Sequence, residues 1–589
     1  MVIIGALFYN DAHVASEWCL QAAQSHRRMF SLLLDRGMPT QIGMYLLRLC
    51  MVPRLSYLIR VMPYEVMMDA TLTFDQQVIE TACRLGNIEE DEITEKIKEQ
   101  LQLPVARGGF GLLSTSQLSL PAHFCSLLHV LRDLHSHFPS SPLDSSSSSL
   151  VRFLNQMCGT LKKIVNESDW RKIEDAISYH QANANENELE MNWNGCITNG
   201  PPPQLQHLLT TCLMNTAVHD LFKQSLARFT LSDRIRLAGC ALPRASCWLT
   251  VAPTRVEYMM SSPVFTQAMR HRLGLLPYRR LQSTNCACDA RVSFDSDPSH
   301  FHSCALIRSR ATTRRHNLIM SVLARCNRSL GRTVEWEPKD HQRPYAQFDN
   351  RHADLLVHEH GQSAYIDVSI VHSTAPSNIT AAAMHEPLYA VAKRQQAKTK
   401  KYAEIAQVNQ YRMIPFIMET YGGFGNHAVD YMRRMEKAAN EFDPDSNDTA
   451  YFSFSDHLYN SLSVALQCGN AYVSMEGETT ITKYKRSKLR NHIRNAAAYT
   501  STNSAAANQQ ELQTIAAVLQ FDHSSLVHGS SLSSLPSSLP LTQTAEYDLH
   551  VSILHDIASE VRMNNGAGHL EMMSDLMPNH ARESVPVCG

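Results

Sequence analysis

Two stretches carry residue types at spacings that can do chemistry. In CACDARVSFDSDPSHFHSC, Cys286, Cys288, His300, His302 and Cys304 fall within 19 residues. Four such ligands can close a tetrahedron around Zn²⁺. Cys-x-Cys supplies one pair from a tight turn, and His300-x3-Cys304 supplies the other from a first helical turn. His302 and His316 compete with His300 for the fourth place, and a chance cluster of reduced thiols is the alternative reading. In RHADLLVHEHGQSAYIDVSIV, two strand-like runs flank His360-Gly361, and each holds one aspartate. A two-residue turn there sets Asp354 directly across from Asp367 on one face, with Cβ atoms roughly 5 Å apart. Two carboxylates that close repel by roughly 3 kcal/mol at an effective dielectric near 20. A divalent ion between them removes the repulsion, and Mg²⁺ suits such an oxygen pair. A three-residue turn would instead put the aspartates on opposite faces. Edge charges that discourage aggregation are the plainer explanation.

The neighbouring elements must position these groups. Upstream, Glu335 and Glu337 in TVEWEP each offer a third acid. Downstream, HEPLYAVAKRQQAKTKKYAEIAQV has helical periodicity, with Pro387 in its first turn. Arg394, Lys398 and Lys401 form one basic stripe at i, i+4 and i+7. Acids on a hairpin and a lysine on an adjacent helix are the parts of a phosphodiester-hydrolysing site: the metal generates hydroxide, and the lysine offsets charge on the phosphorane. Either lysine can serve. Arg308, Arg310, Arg314 and Arg315 follow the cysteine–histidine cluster, which suits a knuckle resting on nucleic acid, and Arg351 precedes the first aspartate.

Net charge over the 589 residues is −2, so the chain is no polycation. Yet Arg270 to Arg332 holds 12 arginines, no lysine and three acids, a local basic surface. The 15 cysteines are mostly scattered singly through helix-like stretches, the usage of reduced thiols in an intracellular setting. No basic region precedes the N-terminal apolar run, which argues against a signal peptide. The longest apolar stretch is broken by Arg48, Arg54, Arg60 and Pro53, so no transmembrane segment is expected.

The expected architecture is multi-domain. Residues 1–139 read as helices, with the Gly108-Gly109 and Gly111 cluster as a turn rather than a phosphate loop. Residues 140–204, opening on SSPLDSSSSS, read as a polar linker. A helical linker domain follows over 205–283, where Ser232 can cap a helix, then a zinc-knuckle-like segment over 284–329. Residues 330–430 alternate strand and helix patterns, an α/β domain with a small mixed sheet. A helical extension spans 431–500. A Ser-, Ala- and Asn-rich tail over 501–589 is expected to be mostly disordered, with one helix near Glu511–Gln520.

The order Cys-x-Cys…His-x3-Cys, RRHN (314–317), EP (337–338), RHADL (351–355), IDV (366–368) and KTKKY (398–402) resembles the restriction-endonuclease-like domain of site-specific non-LTR retrotransposon polyproteins, of the PD-(D/E)XK type. The likeness extends upstream. LLRLCMVPRLSYLIRVMP (46–63) and LPVARGGFGL (103–112) resemble the thumb-like region that follows the reverse-transcriptase palm. PRASCWLTVAP (243–253) and RLGLLP (272–277) resemble the linker before the knuckle. The resemblance implies a metal-dependent DNA endonuclease that nicks target DNA for target-primed reverse transcription. In it, Asp354 and Asp367 hold Mg²⁺, Glu337 assists, Lys398 or Lys401 contacts the scissile phosphate, and Cys286, Cys288, His300 and Cys304 hold structural Zn²⁺. It implies target DNA and element RNA as partners, a separate reverse-transcriptase-bearing chain, and a nuclear location. The chain departs from the family pattern at Ala353, where proline is usual, and at Ser369, where a Glu-x-Lys motif would place lysine. No Tyr-x-Asp-Asp palm motif occurs. The chain reads as beginning just after that motif and is not expected to polymerise alone. A catalytically dead nucleic-acid-binding remnant and a host scaffold protein are the alternatives.

Overall fold

A computed structural model of the chain describes residues 2–3, 6–7, 9–137, 149–182, 201–202, 204–223, 229–307, 310–338, 353–359, 361–408, 410–442 and 453–502. Arg308, Arg351, the serine-rich segment 140–148 and the tail beyond 502, with its expected helix at 511–520, lie outside the described residues. By contacts the chain divides into Met1–Thr482 and Lys483–Gly589. The described residues are mostly helical, with one small four-stranded mixed sheet and a minor two-stranded pair at Val2–Ile3 and Ala6–Leu7.

Apolar residues three to four apart build the N-terminal helices. Helix α1 (Ala12–Gln24) starts where the Asp11 carboxylate accepts the His13 and Val14 amides. It packs on α2 (Tyr64–Leu85) through Ala15, Cys19 and Ala23. Asp75 of α2, nearly buried, accepts from Ser114 Oγ, from the Thr115 amide and hydroxyl, and from the Ser116 amide. It thereby satisfies the free amides at the start of α3 (Thr115–His137). The helical run Thr40–Val61 is, by length and composition, apolar enough to cross a membrane. Met44, Leu47, Met51, Leu55 and Ile59 from this run sit in the same core as α2.

The glycine cluster is a packing turn. Gly108 takes a left-handed conformation at φ 86°, and a Cβ on Gly109 would lie 2.1 Å from the Leu103 carbonyl oxygen. Gln100 and Arg272 donate to the two glycine carbonyls. Much of the expected polar linker is folded instead. It contains α4 (Ser149–Ile164) and α5 (Glu167–Ala182), which share a core with α6 (Leu205–Lys223). Leu154, Met157, Cys158 and Leu161, then Trp170, Ile173 and Ile177, supply the apolar stripes.

Helix α7 (Leu231–Cys240) is capped by Thr230, which exchanges bonds with Asp233, so Ser232 lies in the first turn rather than at the cap. Helix α8 (Ser262–Leu273) ends on Gly274. After the cysteine–histidine segment comes α9 (Arg310–Ser329), then the sheet: β1 (Thr333–Trp336), β2 (Leu355–His358), β3 (Ala364–Val371) and β4 (Arg412–Glu419). The order is β1-β2-β3-β4. The first two pairings are antiparallel, and β3 runs parallel to β4. A parallel neighbour needs a crossover, and α10 (Tyr389–Val408) makes it. Its first turn follows Pro387, with Leu388 at φ 65° breaking the chain between proline and helix. Helices α11 (Asn426–Phe442) and α12 (Phe454–Thr502) follow.

Alternation along the strands gives the sheet two faces. Leu355, Val357, Ala364, Ile366, Val368, Ile414, Phe416 and Met418 form one core with α9, α11 and α12. Leu356 and Tyr365 meet Tyr402 of α10 on the other. The hairpin ladder pairs Leu355 with Ile366, Leu356 with Tyr365 and Val357 with Ala364. His360 of the expected turn lies outside the described residues. Gly361 takes φ 92° there.

Candidate functional site: a cysteine–histidine cluster and a carboxylate–lysine centre

The ligand atoms of Cys286, Cys288, His300 and Cys304 all lie within 4.8 Å of one another. Local backbone bonds explain the convergence. The Cys286 amide donates to the Val292 carbonyl at 2.8 Å, closing the Cys-x-Cys loop, and the Cys304 amide donates to the His300 carbonyl at 2.9 Å. Phe294 and Phe301 form the floor with Val473 and Ile481 of α12. Cys286 Sγ and Cys304 Sγ are 3.6 Å apart, and Cys288 Sγ is 3.4 Å from His300 Nε2. A tetrahedral Zn²⁺ with ordinary bond lengths spaces such ligands about 3.5–3.8 Å apart. The contact between the two sulfurs raises the Cys286 thiol, and the same contact, opposed by burial and reinforced by His300, lowers that of Cys304. That favours the thiolate a metal requires. Asp297 Oδ2 lies 3.7 Å from His300 Nδ1, placed to orient the ring. The four residues form a cluster that can hold a metal such as zinc.

The competing histidines go elsewhere. His302 is buried, and its Nδ1 accepts from Arg315 at 3.1 Å. Its ring packs against His271 and His372, with centroids at 4.4 and 5.2 Å. Burial lowers the basicity of all three imidazoles. His316 sits on α9 beside the first aspartate.

Asp367 is 2 % exposed in the middle of β3. Lys398 of α10 donates to its Oδ1 at 2.9 Å and lies 2.8 Å from its Oδ2. The helical stripe is thus half accounted for: Lys398 faces the strand, while Lys401, more exposed, donates to the Tyr402 hydroxyl at 3.0 Å. Burial raises the Tyr402 phenol, and the charges of Asp367 and Asp354 raise it further, so both carboxylates act on this ring.

The expectation of two aspartates directly opposed in the ladder is corrected at one end. The ladder stops at Leu355. Asp354 donates its amide to the Ile366 carbonyl, and its own Oδ2 accepts the Val368 amide at 2.6 Å. A side-chain oxygen has taken the place of a backbone acceptor, and the regular pairing slips there. Asp354 Oδ1 is then 3.3 Å from His316 Nε2. Glu337, exposed at φ 42°, donates its amide to the Asp354 carbonyl, whereas Glu335 is held by His358 at 2.8 Å.

The arginines divide. Arg310 and Arg314 are exposed, and Arg314 stacks over the Tyr472 ring at 3.6 Å. Arg315 was expected on nucleic acid, but it is 4 % exposed and donates to Asn470 and to His302. Its helical phase, four before Ile319, turns it inward. The sequence offers His316 only as a competing zinc ligand. Its position three before Ile319, at the edge of the sheet-facing stripe, was the available signal for its place beside Asp354.

A separate cavity of about 150 Å³ is lined by Lys96, Asp233, Arg236, His271 and Tyr421. Its charges serve one another, since Asp233 takes Lys96 at 3.1 Å and Arg236 at 3.0 Å. No protein-family model matches the chain, and no curated protein is found as a relative.

Proposed function

We propose that this chain carries a metal-dependent DNA endonuclease of the restriction-endonuclease-like type, which nicks target DNA for target-primed reverse transcription by a non-LTR retrotransposon. The single observation that carries the reading is the Lys398–Asp367 contact from a crossover helix onto a buried strand aspartate, with Asp354 at the adjoining strand end. A sheet interior gains nothing from an aspartate unless a cation is held against it. A Mg²⁺-type ion on Asp354 and Asp367 would polarise the phosphodiester and supply hydroxide near neutral pH.

The chain's own residues do the positioning. The Val368 amide fixes the Asp354 carboxylate. Lys398 holds the Asp367 charge and, in this reading, would contact the scissile phosphate. Lys401, anchored by the Tyr402 hydroxyl, offers a second cation on the same side, and Glu337 stands by as a further acid. Zn²⁺ on Cys286, Cys288, His300 and Cys304 would have a structural role, fixing the segment that leads into α9. Arg310 and Arg314 would grip phosphates without reading sequence. In this reading the partners are target DNA and element RNA, in the nucleus, with polymerisation supplied by a separate reverse-transcriptase-bearing chain.

The test is the chemistry of the product. Supercoiled plasmid incubated with the full chain and divalent ion should yield open circles whose nicks a DNA polymerase extends directly. Extension requires a free 3′ hydroxyl, which hydrolysis on that side leaves. Nicks that form equally without divalent ion, or that Asp354→Ala makes as fast as wild type, would remove the proposal. Salt-dependent DNA binding without any nick would instead mark a nucleic-acid-binding remnant.

A further inference from the structure

Helix α12 changes character along its length. Up to Glu478 its acids face arginines: Glu476 lies 3.6 Å from Arg314, and Glu478 lies 2.7 Å from Arg280. Among the described residues Ile481 is the last that the helix buries. From there ITKYKRSKLRNHIRN carries six Lys or Arg between 483 and 494, and residues 479–510 contain no Asp or Glu. The helix runs on to Thr502. Lys483, Lys485 and Arg490 are exposed and Arg486 is partly so, and among the described residues none of the four is in an ion pair.

The ordinary reasons for such a run fail. Like charges at i, i+3 and i, i+4, as in Lys483–Arg486 and Arg486–Arg490, weaken a helix rather than support it. A face that only keeps a protein soluble interleaves both signs. Basic residues complement the helix dipole within the last turn, and Thr502 is about three turns beyond Arg490. Tyr484, Leu489 and Ile493 are too few large apolar residues to seat the stretch in a membrane interface or an apolar groove. What remains is a polyanion. By helical period Lys483, Arg486 and Arg490 share a face at i, i+3 and i+7, and Lys485 lies across the helix. A helix in the major groove, about 12 Å wide, has a phosphate backbone on either side. We propose that Lys483, Lys485, Arg486 and Arg490 are a nucleic-acid contact separate from Arg310 and Arg314, in which this stretch of α12 lies in a groove of duplex DNA and binds phosphates on both walls. Only the choice of DNA rests on the endonuclease reading. The contact adds affinity and carries no sequence information of its own.

The test uses the full chain loaded with Zn²⁺ and a fluorescent DNA duplex of arbitrary sequence. Anisotropy gives the association constant across a salt series. Each phosphate neutralised on B-DNA contributes about 0.9 to the log–log slope. Exchanging all four residues for glutamine, which keeps helix propensity, should flatten the slope by about three to four units. The charge-keeping exchange of Lys483→Arg, Lys485→Arg, Arg486→Lys and Arg490→Lys should keep the wild-type slope. Neither exchange should move the denaturation midpoint, since the four side chains hold no acid in the fold. An unchanged slope in the glutamine variant, or a slope lost equally in the charge-keeping one, overturns the proposal. A loss confined to single-stranded RNA, or to vesicles containing phosphatidylserine, overturns the assignment to duplex DNA. The two readings fail separately. A wild type that nicks, with the glutamine variant's slope unchanged, removes this contact and keeps the nuclease. A flattened slope with no nicking by wild type supports the contact and removes the nuclease.

Discussion

Replacing Lys398 with methionine isolates what the buried aspartate needs. Methionine keeps the length of the side chain and its packing on α10 while removing the charge. In the native chain the ammonium is 14 % exposed and the carboxylate 2 %, so solvent screens the pair little. At 2.8 Å their attraction is about 6 kcal/mol for an effective dielectric of 20. Part of that is offset by the desolvation of lysine that the variant no longer suffers, and stranding one partner of a buried pair typically costs about 3–5 kcal/mol. The loss falls on β3 and its neighbours, so a local measurement suits a chain with several cores. Hydrogen exchange of peptides covering 364–371 should accelerate by two orders of magnitude or more, since each 1.4 kcal/mol is about tenfold. A divalent ion at about a hundred times its dissociation constant should restore about 2.7 kcal/mol. Asp367→Asn added to Lys398→Met should recover most of the loss, because neither buried charge remains. Unchanged exchange in the single variant, or a double variant as open as the single one, would refute the reasoning.

Other consequences are independent of that pair. Cys304→Ser should lower zinc content below one per chain by elemental analysis and make residues 284–307 the first site of limited proteolysis, because the small core around Phe294 and Phe301 depends on the ligands. Arg314→Ala should weaken DNA binding and flatten its salt dependence by about one unit of log–log slope, whereas Arg315→Ala should destabilise the fold, seen as a lower denaturation midpoint. Burial pushes the Glu419 carboxyl up to about 7, against the hydrogen bond from Ser373. A carboxyl raised in the folded state is most favourable below its unfolded value near 4.3 and loses that advantage as pH rises through about 7. Glu419→Gln should therefore stabilise the protein at pH 8 by up to roughly 3 kcal/mol and leave pH 4 nearly unchanged, as followed by urea denaturation.

What the sequence disclosed and what it hid follow from range. The pairing of Leu355 with Ile366 and Val357 with Ala364 was legible because two strand-like runs close in sequence leave few registers that keep their apolar residues on one face. Lys398 was legible because helical period alone sets it four from Arg394 and three from Lys401. The slip at Asp354 was not, because a side-chain acceptor replaced a backbone one, and nothing in the alternation pattern announces that. Arg315 was misread because its charge was weighed ahead of its helical phase. The helices within 149–182 were missed because Asn, Ser and Glu on their outer faces outweighed the stripes of Leu154, Met157, Leu161, Trp170, Ile173 and Ile177. The cysteine–histidine cluster was legible as a set, but its fourth member was settled by three dimensions: Arg315 draws His302 away, and α9 carries His316 to the sheet.

The central claim concerns hydrolysis at Asp367, and single-turnover nicking of supercoiled plasmid measures it. Wild type and Asp367→Ala are compared at saturating protein and divalent ion, both shown to retain zinc. Wild type should convert the plasmid to open circles, and the variant should do so at least about a hundredfold more slowly, the scale of losing a principal electrostatic contact to the reacting group. Equal rates for the two proteins would contradict it.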